Sequence, residues 1–225
     1  MPINAFDGDT FVSYIDISGF KSLMQDETKA LKALDKLYQC GYETIMTQNG
    51  ENRVEGIFVS DCGIMFIRQN EHQTSKLSCL KSLLAAIKII NKTMVESDLM
   101  LTTAIAYGRF IYRDRIEIGG ITKSPIYGNA YVSAFLDNEK GNPKIEPGYC
   151  RILKQNLPDC INEAIDNSND KILRMIRGKD GDKDHYYYYW MAERPTEIKS
   201  FEQKYQDAYH LKNKEMLRAL KGENY

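Results

Sequence analysis

Asp16, in "FVSYIDISGF", and Asp61, in "VEGIFVSDCGIMF", are lone carboxylates at the ends of strongly apolar runs. A carboxylate withdrawn from water is costly unless it is paired, protonated or bound to a cation. Two of them side by side repel each other unless a cation lies between. Their oxygens are hard ligands suited to Mg²⁺ or Mn²⁺, and the backbone carbonyl of Ile17 could complete the set with water. Metal ligands would then be Asp16, Ile17 and Asp61. Ser18-Gly19-Phe20 opens a helical pattern whose free N–H groups and positive dipole end suit a triphosphate. Gly19 would let the backbone approach closely, and Lys21 would add charge. Two divalent cations beside a phosphate cradle support in-line displacement at phosphorus. The competing structural role for either aspartate is a helix cap or a turn former. The pairing of two such sites, one before a helix start and one in a hairpin, favours the metal site.

The elements that must position these residues follow from the apolar pattern. Residues 10–17 read as a buried strand, and a helical pattern runs from Ser18 to Tyr38. After a turn at 49–52, "RVEGIFVS" and "CGIMFIR" form a hairpin with Asp61 at its tip. Residues 76–97 are the clearest amphipathic helix. "LMLTTAIAYGRFIYRD" and "RIEIGG" suggest strands broken at Gly108 and Asp114. Residues 126–140 give a turn and a helix stopped by Gly141-Asn-Pro143. A strand and helix span "YCRILKQNLPDCINEAI", "HYYYYWMA" reads as a strand with alternating faces, and 198–221 reads as a charged helix. The β-α-β-β-α-β order predicts an α+β, ferredoxin-like domain with a mainly antiparallel sheet and a helical C-terminal extension, divided as 1–195 and 196–225.

Composition limits the alternatives. The chain has 225 residues, 43% hydrophobic, with 30 basic against 31 acidic residues and a net charge of -1. That balance gives no electrostatic reason to expect nucleic acid or a membrane surface as partner. No run approaches a membrane span, and the start lacks a basic, then apolar, leader pattern. Five cysteines without a Cys-x-x-Cys pair suggest reduced thiols and a cytoplasmic location. Three scattered histidines make a histidine zinc site or a Ser-His-Asp triad a poor expectation. Chemistry must lean on carboxylates.

"FVSYIDISGFKSL" resembles the first metal-binding motif of class III nucleotidyl cyclases, and "VEGIFVSDCGIMF" their second, with Asp61 as the second ligand. "AIAYGRF" (104–110) is similar to the family's glycine-ended strand, and "IYGNAYVSAFLDNE" (126–139) lies where the family has its Trp-Gly-Asn helix. The resemblance covers about residues 10–140. It implies cyclisation of a nucleoside triphosphate to a 3′,5′-cyclic nucleotide and pyrophosphate, with Mn²⁺ or Mg²⁺, in a head-to-tail homodimer whose active sites lie at the interface.

The sequence departs from the purine cyclases of that family. Their adenine-reading Lys corresponds to Ile57, their adenine-reading Asp to Pro125, and their ribose and transition-state Asn and Arg fall near Val132 and Leu136. The intact metal motif and the run from Tyr127-Gly128 to Glu139 resemble bacterial pyrimidine cyclases of anti-phage (Pycsar) defence. That implies UTP, less often CTP, as substrate and a separate effector reached through the cyclic nucleotide. Arg109, Arg113 and Arg115 cluster after the "AIAYG" strand as replacements for the missing arginine, and one could reach the triphosphate within the chain or across the dimer, with Arg109 as the catalytic choice and Arg113 as a substrate contact. Tyr14, Tyr107 and Tyr127 could stack on a pyrimidine, although strand aromatics are more commonly core. The alternative from another class is an inactive cyclase fold that binds a nucleotide or protein as a sensor.

Overall fold

The structure is a computed structural model that describes residues 4–47, 52–68, 75–113, 115–116, 122–123, 125–167, 169–209 and 213–223. In chain order the elements are β1 (Phe6–Ile17), α1 (Phe20–Leu23), α2 (Glu27–Thr47), β2 (Arg53–Val59), β3 (Cys62–Arg68), α3 (Lys76–Glu96) and β4 (Leu101–Tyr112). Short strands β5 (Arg115–Ile116), β6 (Thr122–Lys123) and β7 (Ile126–Tyr127) lead to α4 (Asn129–Lys140). Then come β8 (Cys150–Leu153), α5 (Asp159–Asn167), β9 (Ile176–Lys179), β10 (Asp182–Tyr188), α6 (Ile198–Tyr209) and α7 (Asn213–Lys221). The main sheet runs β2-β3-β1-β4-β8-β10-β9, with β7 on β4, and only the β4–β8 pair is parallel. This is the expected α+β order with its mainly antiparallel sheet.

Strand alternation sorts β1 between two cores. Phe11, Ile15 and Ile17 enter the large core shared with α2, α3, α6 and α7. Val12 and Tyr14 face a smaller core capped by Ala130 and Ala134 of α4. Asp16 follows Val12 and Tyr14 in this alternation, so it lies on the α4 side of the sheet at the end of β1.

Four local expectations change. The helical run from Ser18 divides into α1 and α2, because Asp26 caps α2: its Oδ1 accepts the Lys29 N–H at 3.2 Å. β4 continues through Gly108, where the Asn129 side chain occupies the space a Cβ would take, 2.6 Å from its Oδ1. The break expected at Asp114, most of "RIEIGG" and residues 49–51 lie outside the described residues. Tyr186 to Trp190 are all buried rather than alternating between core and solvent. Tyr189 and Trp190 lie beyond the strand end, where the Tyr189 hydroxyl donates to Glu202 and Trp190 Nε1 donates to the Gly148 carbonyl at 2.8 Å. The charged C-terminal run is amphipathic: Ile198, Phe201, Tyr205, Met216, Ala219 and Leu220 join the large core. Among the described residues no helix is long and apolar enough to cross a membrane.

Candidate active site

The β2–β3 hairpin delivers Asp61 to the end of β1. Val59 pairs with Cys62 across the turn, and Ser60 takes a left-handed conformation (φ 54°) to close it. Asp16 pairs with Cys62 on one side and Thr102 on the other. The Ile17 N–H donates to the Asp61 carbonyl at 3.0 Å, and the Ser18 N–H donates to the Met100 carbonyl at 2.8 Å. These bonds fix the two aspartates as neighbours, as their positions in sequence suggest.

Electrostatics at this corner are strained. Burial, then the charges of Asp61 and Glu139, push the Asp16 carboxyl up to about 7. Neither Asp16 nor Asp61 forms a salt bridge among the described residues. Tyr14 is also pushed up, by burial and by the Cys62 thiol beside it. Such a carboxylate pair, with hard oxygens and no cation of its own, fits a divalent metal. Among the described residues no cluster of three or more His, Cys, Asp or Glu side chains could hold one. The groups here that could hold a divalent cation are the two carboxylates and backbone oxygen, of which the Ile17 carbonyl at the end of β1 is the candidate.

A cavity of about 350 Å³ opens beside Asp16. Ser18 and Gly19 form one wall, Thr102, Asn138 and Glu139 another, and Lys144, Glu146 and Tyr209 the rim. The Ser18 hydroxyl is shielded from solvent and has no hydrogen-bond partner among the described residues. Gly19 sits at φ 75°, ψ 17°, a left-handed conformation, and a Cβ there would meet nothing within 4 Å. Glycine is needed here for its backbone, not for space. α1 is a single turn, so its dipole is far weaker than the long helix expected from sequence would give. What the turn offers instead is local: the N–H groups of Gly19, Phe20 and Lys21 have no acceptor among the described residues. Phe20 anchors the turn in the core, and Lys21 is exposed.

Other expected site residues lie elsewhere. Arg109 pairs with Asp9 in the β1–β4 register, seven residue steps from Asp16, or roughly 23 Å of extended strand. Its Nη2 donates to Asp7 Oδ1 at 2.6 Å, and Arg113 donates to the other oxygen of the same carboxylate. A single chain therefore does not bring Arg109 or Arg113 to its own carboxylates. Ile57 is half-buried on the α4 side of the sheet, opposite Ile64. Tyr14 is core, packed edge-on against Phe135 at 5.3 Å. Tyr107 packs on Phe11 on the other sheet face, and Tyr127 is exposed. Val132 and Leu136 are exposed on α4.

Sequence reasoning missed the second wall. The Thr102 hydroxyl donates to Asn138 Oδ1 at 3.0 Å, joining β4 to α4 beside Asp16. It also missed why α4 ends where it does. Arg151, fully buried, donates from Nε and Nη2 to the Asp137 carboxylate at 2.8 and 2.6 Å, and to the Asp137 and Pro143 carbonyls. Gly141 leaves room for it, since a Cβ there would lie 2.0 Å from Arg151 Nη2. The available signal was an acidic residue in the last turn of a helix, where the dipole disfavours it unless a cation is bound nearby.

A pH dependence follows. Asp16 titrates above its ordinary range, so a divalent cation bound there would have to displace its proton at low pH. Mn²⁺ affinity measured by calorimetry should fall roughly tenfold per pH unit below about pH 7 and level off above it. A flat profile between about pH 5.5 and 8 would contradict the assignment.

The sheet order, the helix placement and the paired-carboxylate hairpin together give the fold of class III nucleotide cyclase domains. Among solved structures with this fold, the guanylyl cyclase Cya2 superposes with a TM-score of 0.56 at 13% identity, covering 82% of this chain and 92% of that one. The adenylyl cyclase CyaB from P. aeruginosa gives 0.52 at 16%, covering 82% and 95%. The guanylate cyclase domain of RhGC from Catenaria anguillulae, in complex with GTP, gives 0.57 at 12%, covering 81% and 97%. No protein-family model and no curated protein matches the chain.

Proposed function

We propose that this protein is a divalent-metal-dependent pyrimidine nucleotide cyclase. It converts UTP, and CTP less well, to the 3′,5′-cyclic nucleotide and pyrophosphate, as a messenger that a separate effector reads in anti-phage defence. The observation that carries the reading is the hairpin-tip carboxylate of Asp61 set beside Asp16, on a cyclase fold, with the Asp16 carboxyl raised to about 7 and no side-chain cation paired with it among the described residues. Mn²⁺ or Mg²⁺ bound there supplies Lewis acidity for the attacking 3′-hydroxyl and the leaving pyrophosphate. Asp16 and Asp61 hold the cations. The N–H groups of Gly19, Phe20 and Lys21, with the Ser18 hydroxyl, orient the triphosphate. Thr102 and Asn138 wall the cavity, and Lys144 adds positive charge at its rim.

Ile57 supports a pyrimidine, because it offers apolar contact where adenylyl cyclases have an adenine-reading lysine. The distance of Arg109 and Arg113 from their own carboxylates supports a head-to-tail homodimer in which they serve the partner's triphosphate. Exposed Val132, Leu136 and Tyr127 give such a dimer apolar surface to cover. Residues 1–195 form the catalytic unit in this reading, and 196–225 form an extension whose Tyr209 reaches the cavity rim. The absence of a hydrogen-bond donor at Val132 and Leu136 favours one second reading, an inactive nucleotide-binding sensor.

Incubation with ATP, GTP, CTP and UTP plus Mn²⁺, with products identified by mass spectrometry, separates these readings. Cyclic UMP should dominate, with less cyclic CMP. Dominant purine products would overturn the base assignment, and no cyclic product from an intact dimer would leave the sensor.

A further inference from the structure

Behind the cavity wall lies a buried charge cluster that metal and nucleotide chemistry do not use. His185 of β10 is 4% exposed. Its Nδ1 lies 2.8 and 2.9 Å from the two oxygens of Asp182, and its Nε2 lies 3.0 Å from Asp137 Oδ1. The Tyr187 hydroxyl donates to Asp182 Oδ2 at 2.6 Å, and Arg151 holds Asp137 in a two-pronged ion pair. An ionised carboxylate only accepts hydrogen bonds, so an imidazole with a carboxylate on each nitrogen must carry two protons. Charge balance agrees, with Asp137 and Asp182 negative and Arg151 and His185 positive. A neutral ring would leave a lone pair facing a carboxylate oxygen and one negative charge uncompensated in the interior.

The cluster reaches the cavity through one peptide bond. Asp137 precedes Asn138, which bonds to Thr102 beside Asp16, and Glu139, whose charge acts on Asp16. We propose that His185 is a positioning residue: as an imidazolium clamped between Asp137 and Asp182 it ties β10 to the end of α4 and so holds Asn138 and Glu139 at the carboxylate cavity. Loss of its proton loosens that tie. The role in turnover rests on the cyclase reading, whereas the clamp itself does not.

The groups bonded to the ring or to its partners come from three elements, and Lys144, Glu146, Lys179, Asp180 and Lys183 line the cleft beside Asp182 and Tyr187. Asp137 comes from α4, Arg151 from β8, and Asp182 and Tyr187 from β10. Lys154 and Asp184 line the shallow outer cleft beside the ring, with Lys154 Nζ lying over the Tyr186 ring at 4.4 Å. Burial opposes the imidazolium and Arg151 repels it, but the hydrogen bonds to Asp137 and Asp182 and the charge of Asp137 outweigh both, so His185 titrates above its ordinary value. Asp182 is likewise burdened by burial, yet held below the ordinary range by Tyr187 and His185.

The test is a pH titration by nuclear magnetic resonance, following the His185 ring nitrogens and the Asn138 side-chain amide in the full chain. Both ring nitrogens should be protonated at about pH 7, and the Asn138 signals should move with the same midpoint as the ring. Asp182→Asn presents an amide N–H to Nδ1 and so selects the neutral ring, lowering both midpoints by at least one pH unit, a tenfold loss of proton affinity. Should that variant not fold, Tyr187→Phe removes a competing donor from Asp182 and should raise both midpoints. A neutral wild-type His185 at about pH 7, or Asn138 signals indifferent to the ring, overturns the proposal. These readouts need no turnover, so they stand apart from the cyclase reading. If the protein cyclises UTP, kcat should decline with the His185 midpoint on the alkaline side. An alkaline limb that Asp182→Asn leaves in place would remove the positioning role.

Discussion

Asp16→Asn should abolish cyclisation, by on the order of 10³-fold or more, while raising the melting temperature of the metal-free protein. The two effects share one cause. In the wild type, burial and the charges of Asp61 and Glu139 raise the Asp16 carboxyl to about 7, so above that pH the folded state holds a charge it resists. A group raised in the folded state contributes stability at low pH and loses it as pH passes its folded value. An amide keeps the shape and removes the charge. The variant should therefore melt higher than the wild type at about pH 8 and similarly at about pH 5. Saturating Mn²⁺ should reverse the order at about pH 8, because only the wild type gains from binding. Thermal melts at the two pH values, with and without Mn²⁺, check this. A variant less stable than metal-free wild type at about pH 8 would show that Asp16 is a structural cap rather than a ligand.

Arg151→Met should cost about 3–5 kcal/mol, the largest stability loss expected of any single substitution here. Arg151 is fully buried and satisfies the Asp137 carboxylate twice, along with the carbonyls of Asp137 and Pro143. Removing it leaves two buried carboxylates facing one imidazolium and leaves the end of α4 without its cap. Methionine fills similar volume, so the loss reports charge more than cavity. Arg151→Lys should recover little, since an ammonium cannot reproduce the fork. Pairing Arg151→Met with Asp137→Leu should restore part of the stability, because replacing both partners avoids the stranded charge. Chemical denaturation of the three variants measures this. A loss under about 1 kcal/mol for Arg151→Met would mean that water reaches the pair.

The half of the site nearest the N-terminus was legible in sequence because its logic is local. Asp16 and Asp61 each interrupt an apolar strand, and a two-residue hairpin turn leaves the second only one place to go. The wall formed by Thr102, Asn138 and Glu139 was not legible as a site, because its residues meet only when α4 folds across the sheet. The Asp137–Arg151–His185–Asp182 cluster was hidden for the same reason: its members are spread from α4 to β10, and none sits in a motif. Where Arg109 lies relative to Asp16 within one chain was not legible, because sequence proximity to the glycine-ended strand gives no register. The pairing of Asp9 with Arg109 places it at the opposite end of β1 from Asp16. Likewise, the boundary between α1 and α2 is not legible in sequence, because apolar spacing runs unbroken through the Asp26 cap.

The most direct test of the account compares wild type with Asp61→Asn in Mn²⁺ and UTP, measuring 3′,5′-cyclic UMP and pyrophosphate by mass spectrometry, with circular dichroism on both proteins. The wild type should form both products in equal amounts, and Asp61→Asn should form neither while keeping its fold. Equal turnover by the two proteins would contradict the paired-carboxylate metal site on which the account rests.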